Sequence, residues 1–179
     1  LVSQREVPND AATFSRALRA ALRQAPDVVM LGEMRDLETI RTAITAAETG
    51  HLLLSSLHTI GASRTVDRII DTFPAEQQAQ IRIQLSMVLK AVISQRLVPT
   101  VTGERVPVFE VMTVNIAVQN LIRDGRTHQI DNAIFNGNGQ SMLSMDTELM
   151  RLVRENKITK ETAVLFAVNP ETMSKRLNI

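Results

Sequence analysis

A short apolar run, Val28-Val29-Met30-Leu31, ends on Gly32 and then on a carboxylate, Glu33, with Arg35 and Asp36 close behind. A strand that delivers an acid at its carboxyl end places it in the crevice where open α/β sheets bind ligands. There a carboxylate can orient Mg²⁺ or polarise an attacking water, and nucleotide hydrolysis depends mostly on such positioning and charge stabilisation. Gly32 predicts a turn that keeps bulk away from the acid. The same pattern also fits an acid on a strand-to-helix turn that caps the following helix.

A second stretch with chemistry is TGHLLLSSLHT, residues 49–59. His51 enters its apolar run and His58 leaves it. Side chains alternate along a strand, so an odd separation puts the two on opposite faces of an unbroken one. Only His58, at the carboxyl end, is expected to share the crevice with Glu33, where an imidazole can donate to a phosphate oxygen. A histidine at a strand end also fits a purely structural role. Arg35, Arg41, Arg64 and Arg68 gather around the two strand ends, and guanidinium groups grip phosphate in a fork. Arg35, beside the carboxylate, is the strongest of the four, since each of the others also fits a solvated helix charge. The three histidines show no metal-ligand spacing, so no protein metal cage is expected.

The elements that must position these residues follow from periodicity. Phe14, Leu18 and Leu22 recur every four residues in a helix expected over 9–24, opened by Asp10 or Asn9 and stopped by Pro26. Val28–Leu31 reads as a strand buried on both faces. Asp36 caps a helix carrying Ile40, Ala43, Ile44 and Ala47, and Gly50 sits where a terminating glycine belongs. Leu52–Leu57 reads as a second strand, and Val66, Ile69, Ile70 and Phe73 as a helix closed by Pro74. Helix and strand thus alternate as in an α/β layer with a parallel sheet. Residues 76–90 carry both helical and alternating spacings, and their length favours a helix. Val92–Val101 and Val106–Val111 suggest a hairpin across Gly103. From Asn115 the pattern changes to short helices: 115–124, 127–135 up to the Asn136-Gly137-Asn138-Gly139 turn, one carrying Met142, Met145, Leu149 and Leu152, and two more. The division expected is 1–114 for the α/β part and 115–179 for a helical subdomain.

Of the 179 residues, 44% are apolar and 22% charged, enough for a sizeable core with no metal or disulfide staple. A net charge of +1, no dense basic run and no Trp or Tyr give little equipment for holding nucleic acid, and none is expected as partner. With no cysteine there is no disulfide framework or thiolate metal site, which is compatible with a reducing cytoplasm. No apolar stretch approaches the ~18 residues that span a bilayer. The opening Leu1-Val2-Ser3, without an initiator Met, suggests a fragment.

Three long segments, AALRQAPDVVMLGEMRDLETI, TGHLLLSSLHTIGASRTVDRIIDTFP and VNIAVQNLIRDGRTHQI, together resemble the type IV pilus retraction ATPases of the secretion ATPase superfamily. The resemblance runs from QREV at residues 4–7 to the closing NPETMSKRL. It implies a partial RecA-like ATPase core, with Walker B and His-box segments, followed by the helical subdomain. Glu33 resembles the catalytic carboxylate of that family and His51 and His58 its His-box pair, which makes Glu33 and His58 the catalytic candidates. His51, the other His-box residue, stands with Arg35, Arg64 and Arg68 as nucleotide-binding candidates. NLIRDGRTHQI, residues 120–130, resembles the segment associated with retraction. ATP and Mg²⁺ are the implied substrate and cofactor. The implied partners are further copies in a hexameric ring and a platform protein at the inner face of the bacterial membrane, with membrane association through that partner.

The chain contains no G-x-x-x-x-G-K-[ST], and the Gly137/Gly139 loop lacks the lysine. Acidic-box carboxylates expected upstream of QREV are also missing. On this reading the chain is the carboxy-terminal half of the motor, inactive by itself, with an exposed sheet edge that promotes self-association. The absence of cysteine favours the retraction branch over assembly ATPases with a four-cysteine zinc insertion. A ring-assembly and docking module without catalysis, and a secretion, DNA-uptake or conjugation motor, remain alternatives.

Overall fold

The computed structural model describes residues 2–137 and 141–179. They form two compact units, one of residues up to 58 with 68–88 and the other of 59–67 with 89–179. This grouping places the strands of residues 91–113 with the carboxy-terminal helices, whereas the sequence-based division fell after residue 114.

In the first unit helix α1 spans Phe14–Leu22, strand β1 Val28–Leu31, helix α2 Leu37–Glu48 and strand β2 Leu52–Ser55. β1 and β2 pair in parallel, from Val28 opposite Leu52 to Leu31 opposite Ser55. Helix α1 starts later than expected. Its cap is Thr13, whose hydroxyl accepts from the Arg16 amide at 3.2 Å, not Asp10 or Asn9. Asp10 is engaged locally instead, accepting from the Glu6 amide at 2.8 Å. Asp36 caps α2 as its position predicts, taking the Thr39 amide at 2.8 Å. Gly50 follows the helix at φ +96, a conformation that a Cβ disfavours.

Leu31, Val29 and Leu53 turn to one side and pack with Leu18 and Phe14 of α1 and Ala43 of α2. The opposite face of the pair carries Val28, Met30, Leu52 and Leu54, all exposed, with Met30 at 81%. Burial on both faces, expected from the continuous apolar run, is therefore not found among the described residues. The helices that cover these strands, α1 and α2, supply only one layer.

Helix α3, Ala62–Asp71, has its first residues in the second unit and its last in the first. Helix α4 spans Ala75–Val88. Here Ile81 and Leu85 are buried while Ile83 is 48% exposed. A strand would have put all three on one side, so the helical reading of this stretch holds.

In the second unit β3, Ala91–Pro99, and β4, Arg105–Thr113, form an antiparallel hairpin turning around Gly103. Then come α5, Ile116–Arg123, a 3₁₀ turn at Thr127–Gln129, α6, Ile130–Asn136, α7, Met145–Arg154, α8, Lys160–Phe166, and α9, Pro170–Leu177. Helix α6 stops at Gly137; Asn138 and Gly139 of the expected turn, like Leu1, lie outside the described residues. Met142 is not part of α7. It is buried in a short bridging stretch in which Leu143 pairs with Val111. Val98 and Val108 of the hairpin pack with Leu149, Leu152, Ala163 and Met173 into the core of this unit. The architecture is α/β: a parallel strand pair flanked by helices, with a helical carboxy-terminal part.

Candidate active site

Parallel pairing sets the carboxyl ends of β1 and β2 side by side, and the chain emerging from each stays tied to the other. The Met34 amide donates to the Ser56 carbonyl at 3.2 Å, and the Ser56 hydroxyl donates to the Gly32 carbonyl at 2.6 Å. These two bonds hold the backbone on both sides of Glu33. Ser56 was missed as a site residue. Its signal was the polar Ser55-Ser56 pair inside an otherwise apolar run.

Glu33 and His58 meet there. The His58 Nε2 atom stands 3.8 Å from Glu33 Oε1, with the imidazole largely exposed and the carboxylate 23% exposed. Arg35 grips the same carboxylate with two donors, Nε toward Oε1 and Nη2 to Oε2 at 2.7 Å. This Arg35 hydrogen bonding, reinforced by the charges of Arg35 and His58, holds the Glu33 carboxyl below its ordinary range against the opposing effect of desolvation. A carboxylate held this acidic is a weak base. The arrangement therefore suits orienting a cation or a water better than accepting a proton, unless Arg35 is drawn away.

Gly32 has neither a left-handed backbone nor a close neighbour: an added Cβ would meet no atom within 4 Å. No atom among the described residues requires glycine there, and the space beside Glu33 is open. Cavities of about 520 and 230 Å³ lie against α1 and between α2 and α4, and neither includes Glu33 or His58. The site is a shelf at the strand ends.

The other candidates are placed differently. His51 precedes β2 and bonds through Nδ1 to the Thr49 hydroxyl at 3.0 Å, at the end of the strand opposite to His58. The two histidines are parted by strand ends and not by strand faces, because β2 has only four residues and does not run unbroken between them. Arg41 is engaged elsewhere: its Nη2 donates to Gln77 at 2.7 Å, and its guanidinium lies over Phe73. Arg68 falls in the first unit and Arg64 in the second, where its charge acts on Asp131. Neither closes an ion pair among the described residues. Residues 120–130 form the end of α5 and the 3₁₀ turn, with Asp124 bridged to Arg126 at 2.6 Å and to Arg123 at 3.4 Å.

Among the described residues no three acidic, histidine or cysteine side chains stand together as a metal cage. Magnesium needs no such cage, since it commonly takes one or two carboxylates with phosphate oxygens and waters. A single carboxylate beside open space fits that donor set.

The chain is similar to known proteins over nearly its whole length. The profile of the family described as "Type II/IV secretion system protein" matches residues 2–165. The chain is 48% identical over 171 residues to the type IV pilus retractation ATPase PilT of Pseudomonas aeruginosa, covering 96% of this chain and 50% of that protein. It is 48% identical over 175 residues to a twitching motility protein of Neisseria gonorrhoeae, covering 97% and 47%. A crystal structure of the pilus retraction motor PilT with bound ADP superposes with a TM-score of 0.88 at 44% identity, over 98% of this chain and 49% of that one. The chain spans about half the length of the curated relatives it matches. The extent of these matches shows that the chain belongs to the type II/IV secretion system protein family.

Proposed function

We propose that this chain is the carboxy-terminal part of a hexameric ATPase motor that powers type IV pilus retraction and twitching motility. The observation that carries the reading is the convergence of Glu33, Arg35 and His58 at the carboxyl ends of β1 and β2. In the longer protein Glu33 orients the attacking water and lends its carboxylate to Mg²⁺, which supplies charge neutralisation at the phosphates. His58 contacts the terminal phosphate. Arg35 holds the Glu33 carboxylate in place until ATP is bound, and His51, Arg64 and Arg68 are further nucleotide contacts. Ring contacts between copies and a platform protein at the cytoplasmic face of the bacterial inner membrane complete the machine. No helix among the described residues is long and apolar enough to cross a membrane.

The chain holds no phosphate-loop motif, so we expect no useful turnover from it alone. One substitution tests the reading. Glu33→Gln in the longer protein should lower ATP turnover by about two to four orders of magnitude while ATP still binds. Near-normal hydrolysis by that variant removes Glu33 from catalysis.

A further inference from the structure

Outside this site the most unusual ionisable group is Glu110. It sits on the inward face of β4, opposite Ser94 of β3 and in the same register as Val108 and Met112. It is only 3% exposed. An acid there is costly unless its charge is met by donors. Oε1 accepts the Ala62 amide at 2.8 Å, at the start of α3, and the backbone of Met145, at the start of α7, also favours the charged carboxylate. Two helix amino ends, each with unsatisfied amides and a partial positive charge, thus converge on one carboxylate.

We propose that Glu110 is a positioning residue whose buried carboxylate joins the amino ends of α3 and α7 and so fixes residues 59–62, the stretch the chain enters directly after His58. The surrounding geometry agrees. Gly61 has φ +88, and a Cβ there would lie 3.7 Å from Glu110 Oε1. The Thr65 hydroxyl donates to the Gly61 carbonyl at 2.8 Å and lies 2.8 Å from the Thr59 hydroxyl. Ser63 and Arg64, in the first turn of α3, both favour the charged form of Asp131, on α6. Burial, chiefly, and the nearby charges of Asp131 and Asp146 push the Glu110 carboxyl above its ordinary range, and the backbone donors oppose this. A residue serving only to fill the core would have no use for a carboxylate at this place.

The catalytic meaning of this tie rests on the reading of His58 given above; the tie itself does not. Amide hydrogen exchange on the chain tests it. Glu110→Ala should speed exchange at Ala62 and Met145 by about ten- to a hundredfold, the loss of a charge-assisted bond, with Met173 of α9 unchanged. Glu110→Gln keeps an acceptor and should exchange at intermediate rates. If Glu110→Ala unfolds the unit, Glu110→Gln decides: faster exchange at Ala62 or Met145 with Met173 unchanged supports the tie, and wild-type rates at both overturn it. In the longer ATPase, kcat should fall with Glu110→Ala and recover with Glu110→Gln. Unchanged kcat in Glu110→Ala removes the catalytic meaning alone, whereas normal turnover in Glu33→Gln would remove the function reading and leave the exchange result standing.

Discussion

At the scale of single residues, Glu33 is set by a local competition. Arg35, two residues on, satisfies both oxygens and holds the Glu33 carboxyl below its ordinary range. Arg35→Ala should raise the Glu33 pKa toward the ordinary glutamate value, read by carbon NMR titration of the carboxyl. The ion pair stabilises the native state above the unfolded-state pKa and is lost as pH falls through the lower folded one, so the variant should lose this acid-range dependence. An unmoved Glu33 titration would show that Arg35 does not set it. Glu33, Arg35 and His58 could be singled out from position alone, because an apolar run long enough for one short strand stopped just before each acid or imidazole. Glu110 was not singled out, although it sits in phase with Val106, Val108 and Met112, and an acid in an apolar alternation is a visible signal. What its carboxylate bonds to depends on helices far along the chain, which spacing does not reveal.

At the scale of elements, helix ends were legible where a cap has its partners nearby. Asp36 takes the Thr39 amide and hydroxyl, each at 2.8 Å, and these bonds hold its pKa below the ordinary aspartate value. Asp36→Ala should cost about 1 kcal/mol of stability in urea unfolding. Because the folded pKa is the lower one, that difference should be full at neutral pH and vanish as pH falls through it. A variant as stable as the wild type at neutral pH would show that the cap contributes nothing. The start of α1 was misplaced because Asn9, Asp10 and Thr13 all suit a cap, and only the fold reveals that Asp10 is engaged by the Glu6 amide. For α4 the alternation of Ile81, Ile83 and Leu85 competes with helical spacing, and burial of the first and third against exposure of the second decides it.

At the scale of the whole molecule, the parallel pair leaves Val28, Met30, Leu52 and Leu54 exposed on one face. A contiguous apolar sheet face beside edges that pair with no further strand among the described residues favours association with another chain. Sedimentation velocity should show concentration-dependent self-association, weakened by Met30→Lys; a strictly monomeric profile over a wide concentration range contradicts this. The strands themselves were legible, but burial on both faces was inferred from an apolar run without sight of which layers cover it. The central claim concerns how Glu33 and His58 act, and a double-mutant cycle on ATP turnover in the longer protein tests it most directly. If the two groups serve one step, Glu33→Gln with His58→Ala should lose little more kcat than the worse single variant. Losses that multiply in full would contradict a shared role.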